Sequence, residues 1–280
     1  MTISLSWRQK RRLPAPLLVA SFFMLLVVLV SFLAPILTSV NPLSMTADAR
    51  LKPPSYSHLL GTDMFGRDIL ARVLYGGQIS LVIGLATAAL ATAIGTILGL
   101  VAGAGQLSDK ILMRIMDGMM AIPGILLAIA LATIFGGGVL TVIVALAIPE
   151  VPGVARLARS LTLTLREQVF VEAARSYGAG PLRILFKYIL PNALAPIAVQ
   201  ATYICGVAIL YEAYLSFVGV GVPPEHPSWG NIVAEGRSFA LIAPHMILYP
   251  SVLIAVVVLA INLMGDGARD MLDPRFALPD

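Results

Sequence analysis

The chain has 280 residues, of which 58% are hydrophobic and only 12% charged, with a mean hydropathy of +0.90. Soluble domains carry roughly 25% charged residues, so this surplus of apolar side chains excludes a water-soluble core, and with it disorder and a collagen-like fibre. One cysteine, Cys205, excludes a disulfide scaffold. The composition points to a polytopic membrane protein, for which the spans below predict an all-α fold, and the +4 net charge becomes a question of where the basic residues lie.

A span needs about 20 mostly apolar residues. Residues 1–13 form a polar N-terminal segment carrying Arg8, Lys10, Arg11 and Arg12, and the first span covers 14–37. Its apolar run exceeds the h-region of a cleaved signal peptide and no A-x-A site follows, so it reads as an uncleaved signal anchor. A long loop, 38–78, leads to a second span over 79–104, in which Gly95, Gly99 and Gly103 repeat every four residues. Small residues at that spacing let helix backbones approach closely, although glycine is also common in membrane helices generally. Spans over 113–135 and 138–157 are separated by the turn signal Gly136-Gly137-Gly138. A long amphipathic segment, 158–191, precedes a span over 192–217. The loop 218–245, a last span over 246–265 and the tail 266–280 complete the chain.

Six spans put both termini on one side. With the termini inside, 14 of the 19 basic residues lie on inner segments and five on outer ones. This asymmetry orients both termini to the cytoplasm. The basic surplus is then topological, and nucleic acid is not an expected partner.

Within 158–191, the stretch 164–177 predicts a helix with Phe170, Ala173, Ala174 and Tyr177 at three- and four-residue steps. Gly178 falls where a helix C′ residue adopts the left-handed conformation. Pro181 suits the first position of a second helix, which carries Leu182, Leu185, Phe186 and Ile189 on one side. Pro191 is expected to break or kink it. The physical picture is a compact helix–turn–helix at the membrane surface. It serves either as a protein docking surface or as an amphipathic linker lying on the headgroups.

Glu172-Ala173-Ala174, three residues, Gly178, then eleven residues to Leu190-Pro191 resembles the EAA motif of ABC-importer permeases, with Tyr188 where that family usually has Ile. Gly61-Thr62-Asp63 and Gly66-Arg67-Asp68 are similar to the GTD-x-x-GRD signature of the dipeptide/oligopeptide/nickel branch. So are Tyr75-Gly76-Gly77-Gln78, Pro227-Ser228-Trp229-Gly230-Asn231 and Gly265-Asp266-Gly267-Ala268-Arg269-Asp270. The matching blocks run from about residue 58 to 275, in the order of the C-type subunit of that branch.

The resemblance implies a type I ABC importer permease fold and a non-catalytic subunit of a bacterial inner-membrane transporter. The chain would form half of the translocation pathway for peptides, paired with a homologous second permease, two cytoplasmic ATPases and an extracytoplasmic substrate-binding protein. No cofactor is expected on this chain, since ATP and Mg would be held by the ATPases. In the resemblance Glu172, Ala173, Ala174, Gly178, Leu190 and Pro191 belong to the coupling segment that docks on an ATPase. The residues agree independently on one point: none of the four lysines follows a G-x-x-x-x-G run, so there is no P-loop. Nickel or a metal chelate is the alternative cargo, but three scattered histidines and one cysteine give no metal site and favour peptides.

Charge inside spans is costly and needs a reason. Asp117 lies within reach of Arg114 at i−3 and reads as an interfacial ion pair. Glu212 is either packing support or a lining of the pathway. Glu150, in Ile148-Pro149-Glu150-Val151-Pro152-Gly153, sits where two prolines remove backbone donors. It either faces the pathway, attracting a cationic amine, or supports a kink. Two other classes are less consistent with the chain. An intramembrane protease lacks H-E-x-x-H and has Leu263 where G-x-G-D needs Gly. An ion-coupled secondary transporter would use a mid-span Glu and broken helices in the same way, but usually has internal repeats, and none is present here.

Overall fold

A computed structural model describes residues 15–272. The basic cluster Arg8 to Arg12, Pro14 at the start of the expected first span, and Asp273, Pro274 and Arg275 lie outside the described residues. In chain order the helices are α1 (Ala15–Phe32), α2 (Ala34–Leu37), α3 (Ile69–Ala104), α4 (Gln106–Met120), α5 (Gly124–Phe135), α6 (Val139–Arg166), α7 (Val169–Ser176), α8 (Pro181–Ile184), α9 (Leu190–Val218), α10 (Trp229–Gly236) and α11 (His245–Leu272). A π-helical turn, Leu185–Ile189, joins α8 to α9. Among the described residues there is no β-strand, only an isolated bridge between Thr62 and Asp68. Five helices are long and apolar enough to cross a membrane, and a sixth span results if the bent pair α4–α5 counts as one.

Several helices outrun the spans expected from hydropathy, each for a local reason. α3 starts at Ile69, ten residues early, because the Asp68 side chain accepts a hydrogen bond from the Ala71 amide at 2.9 Å and caps it. α6 continues past 157 to Arg166, running through both Pro149 and Pro152. Its last turn is tied down by Arg166, whose Nη1 donates to the Gly103 carbonyl at 2.6 Å. A cation there also complements the C-terminal end of the α3 dipole.

The expected span 113–135 is not one straight helix. The chain breaks at Ala121-Ile122-Pro123, and α4 meets α5 at 85°. Pro123 supplies no amide to continue α4 and biases Ile122 away from helix. α4 is amphipathic, with Asp109, Lys110, Arg114 and Asp117 along it. The 12 residues of α5 reach only about 18 Å, short of a ~30 Å hydrocarbon core.

The four-residue glycine spacing of α3 faces α6. A Cβ on Gly103 would lie 2.6 Å from the Thr162 side chain, and one on Gly99 would meet the Ala155 carbonyl and Ala158. The two backbones approach as closely as small residues allow. Around this pair, Val151, Val154, Ala155 and Ile204 bury the junction of α6 with α9. A second core under α10 gathers Ile69, Val73, Ile209, Trp229, Ile232, Met246 and Val257. Trp229 is fully buried and donates its indole N–H to the Val73 carbonyl at 2.9 Å.

Candidate docking and pathway sites

The first candidate site is the α7–α8 unit at the end of α6. The helix expected over 164–177 is interrupted: α6 stops at Arg166, and α7 starts only after Gln168 adopts an extended conformation. Nothing in that run of good helix formers marks the turn. It is set by tertiary packing, in which Val171 reaches Leu100 of α3 together with Ile184, Leu185 and Ile189. The C-terminus of α7 follows the sequence signal closely. Gly178 has φ +80°; its amide donates to the Arg175 carbonyl at 2.9 Å, and the Ala179 amide to Ala174 at 3.0 Å. These are the two bonds of a Schellman motif.

The motif residues divide between inside and outside. Ala174 is buried with Val171, whereas Glu172, Ala173 and Gly178 are exposed. The apolar residues expected on one side also separate. Leu185 and Ile189 turn inward, while Val169, Phe170, Tyr177, Leu182 and Phe186 face outward, Tyr177 being 91% exposed. Leu190 is half-buried at the start of α9. Pro191, expected to break or kink the helix, lies in the first turn of α9, and the π-turn just before it widens the helix ahead of the proline. The result is a small rigid knob with an aromatic and aliphatic outer face, rooted on the end of α3.

The second candidate site caps the opposite end of the bundle. Asp63 accepts from the amides of Phe65 (2.8 Å) and Arg67 (2.9 Å), from Arg67 Nε (2.6 Å) and from Arg72 Nη1 (2.8 Å). Glu235 of α10 accepts from both guanidinium groups at 2.5 Å. Two cations and two carboxylates thus neutralise one another in a nearly closed space, the arrangement that makes burial of charge tolerable. The other signature residues build its frame. Gly61 (φ +81°) and Gly66 (φ +75°) make the turns. Thr62 donates its hydroxyl to the Ala49 carbonyl, and Asp68, besides capping α3, bonds His58 Nδ1 at 2.9 Å. Sequence reasoning brought Gly61, Thr62, Asp63, Gly66, Arg67 and Asp68 together but missed Arg72 and Glu235. The available signal was Arg72 itself, the one charged residue between 69 and 104.

The intramembrane carboxylates have three different surroundings. Asp117 pairs not with Arg114 on its own helix but with Arg156 of α6, at 2.6 Å, both half-exposed. About two turns back along α4, Asp109 bonds Arg159, so two ion pairs staple α4 to α6. Glu212 has no exposed surface. It accepts hydroxyl bonds from Ser228 (2.7 Å), Ser216 (2.9 Å) and Ser80 (3.5 Å) and sits under the first turn of α10, where it also takes the Gly230 amide. Only glycine fits at 230, since a Cβ there would lie 2.5 Å from the Ala213 Cα. This geometry gives Glu212 a packing role that ties α9 to α3 and to the start of α10. Glu150 is half-buried on α6 and, within the described residues, makes no hydrogen bond or ion pair.

A bundle of apolar, partly broken helices with a compact knob at one end and a charge-matched cap at the other is consistent with a membrane permease subunit. Residues 91–278 match the family described as binding-protein-dependent transport system inner membrane component, and the chain belongs to that family. It is 45% identical over 249 residues to the dipeptide transport system permease protein DppC of Alkalihalophilus pseudofirmus, covering 89% of this chain and 82% of that one. It is 44% identical over 258 residues to the glutathione transport system permease protein GsiD of Pectobacterium atrosepticum (91% and 86%) and 42% identical over 260 residues to the di/tripeptide transport system permease protein DppC of Pseudomonas aeruginosa (90% and 86%). The fold is similar to that of a chain of the inward-facing MetNI methionine ABC transporter, with TM-score 0.61 and 22% identity over 73% of this chain and 98% of that chain. The fold is therefore that of a type I ABC importer permease.

Proposed function

We propose that this chain is one of two homologous permease subunits of an ATP-driven importer that moves short peptides into a bacterial cytoplasm. Its partners in this reading are a second permease, two ATPases that hold ATP and Mg, and a binding protein delivering cargo outside. The chain itself carries out no hydrolysis. The cap end faces outward and the α7–α8 knob and both termini face the cytoplasm, following the basic-residue asymmetry of the sequence. The peptide cargo follows the relatives named for dipeptide, di/tripeptide and glutathione transport.

The observation that carries the reading is the knob. Its outward apolar residues, Val169, Phe170, Tyr177, Leu182 and Phe186, surround the exposed Glu172, Ala173 and Gly178, while its inner face is fixed to α3 through Val171 and Leu100. A rigid connection of this kind passes a push on the knob directly into the long helices. In the reconstituted complex, Gly178→Asp should abolish binding-protein-stimulated ATP hydrolysis and transport together, since a non-glycine residue is strained at φ +80°. A variant with normal stimulated hydrolysis and normal transport would refute the docking role. Co-purification of ATPase subunits from native membranes tests the class: a chain that moves substrate alone, driven by an ion gradient, would be a secondary transporter.

A further inference from the structure

We propose that α4 binds anionic phospholipid at the cytoplasmic edge of the bilayer. Lys110 and Arg114 would take the headgroup phosphate, and Leu107, Ile111 and Ile115 would lie against the acyl chains. The inference takes its orientation from the importer reading above and is independent of the cargo. It starts from how the charges of α4 are divided. By composition the helix is neutral, with Asp109 and Asp117 against Lys110 and Arg114. Both acids turn to α6: Asp109 accepts from Arg159 Nη2 at 2.6 Å, and Asp117 from Arg156 Nη2 at 2.6 Å. The two cations turn away. Lys110 and Arg114 are exposed, and within the described residues neither makes a hydrogen bond or ion pair. The outward charge of α4 is therefore wholly positive.

The cations also sit beside an aliphatic stripe. Leu107, Ile111 and Ile115 are exposed and repeat every four residues, and Lys110 and Arg114 repeat in the same way along its border. The exposed stripes of α3 and α11, by contrast, are aliphatic alone, with Leu85 and Ile97 on one and Leu248 and Leu259 on the other. The depth of α4 follows from its ties to α6. Arg156 and Arg159 lie about 26 and 30 Å from the start of α6 at 1.5 Å per residue, near the far edge of a ~30 Å hydrocarbon core. The two acids are eight residues apart on α4, but their partners are only three apart on α6, so α4 crosses α6 steeply. Its buried face is held by Met116, which packs with Val151 and Val154.

A helix set across the edge of the hydrocarbon, with an apolar stripe bordered by Lys and Arg, has the chemistry of an interfacial helix. Long cationic side chains keep their stems on the apolar surface and lift their heads to the phosphates. Cations four residues apart are about 5–6 Å apart at Cβ, close enough to share one phosphodiester. Asp109 and Asp117 are committed to α6, so that face offers no carboxylate to the ammonium of a zwitterionic lipid, and a net negative headgroup is favoured. A protein interface is the weaker match, because lysine is depleted there.

The test titrates the whole complex, purified in neutral detergent, with phosphatidylglycerol or phosphatidylcholine in mixed micelles and follows thermal unfolding of this chain. In the wild type phosphatidylglycerol should raise the midpoint at a lower mole fraction than phosphatidylcholine. Joint Lys110→Gln and Arg114→Gln substitution should raise the half-saturating phosphatidylglycerol fraction by about fivefold for each charge removed. The phosphatidylcholine titration and the lipid-free midpoint should not move, and Lys110→Arg should bind as the wild type does. No preference for phosphatidylglycerol in the wild type, or an unchanged titration in the double variant, would overturn the proposal. A lower lipid-free midpoint or loss of a subunit in the double variant would assign the stripe to a protein partner and overturn it equally. So would an equal rise with inorganic phosphate alone. A complex that moves no peptide would refute the importer reading and leave these titrations unaffected, so the two failures are distinguishable.

Discussion

The cap end and the middle of α6 handle the same problem, carboxylates in an apolar protein, in opposite ways. At the cap, Asp63 and Glu235 each take two guanidinium groups, and Glu212 beneath α10 takes three hydroxyls and an amide. In the middle of α6, Glu150 takes nothing from the chain. A buried polar group left unmatched costs far more than a matched one gains, so full satisfaction marks a residue kept for structure. The difference separates two glutamates that look alike in sequence.

The comparison can be broken by stability measurements, beginning at the cap. Arg72→Met leaves Asp63 and Glu235 sharing only Arg67 in a closed space, and an orphaned buried charge costs about 3–5 kcal/mol. Thermal unfolding of the purified protein in detergent should show the largest loss here, and an unchanged midpoint would mean that the network is not closed in solution. Glu212→Ala strands Ser80, Ser216, Ser228 and the Gly230 amide, at about 1–3 kcal/mol for the unmatched groups. Glu150→Gln should leave the midpoint where it is. Equal losses for the two glutamates would erase the distinction drawn between them.

Two glycines sharpen the point for the backbone. Neither Gly153 nor Gly178 would bring a Cβ within 4 Å of another group, but only Gly178 has a positive φ. Gly178→Ala should therefore destabilise the knob by about 1 kcal/mol, and Gly153→Ala should be neutral or stabilising by up to about 1 kcal/mol in helix propensity. Amide hydrogen exchange across 169–190 reads the first, and thermal unfolding the second. The smallest effect is expected for Asp117→Asn, because its bridge to Arg156 is half-exposed on both sides. Such pairs are worth about 0–1 kcal/mol, and the small loss should vanish in high salt.

Much of the site was legible locally. The Schellman turn at Gly178, the Gly136-Gly137-Gly138 turn and the Gly95, Gly99, Gly103 seam are short-range signals, and the structure uses each of them. The break between Arg166 and Val169 was not legible, because Val171 turns inward only to meet Leu100, some 70 residues earlier in the chain. Nor was the partner of Asp117. Arg114 is nearer in sequence, but the close packing of α4 on α6 brings Arg156 nearer in space.

The amino-acid sequence by itself determined the apolar surroundings, most of the long apolar helices and the turn at Gly178, because all of these depend on composition and near-neighbour spacing. Only the tertiary structure decided which carboxylates are satisfied. Glu212 is matched by Ser80 and Ser228 from distant parts of the chain, Asp63 by Arg72 with Glu235 closing the set, and Glu150 by none. A hydrogen bond depends on distance in space, and helices that cross a membrane bring far-separated residues together in ways that no local pattern encodes.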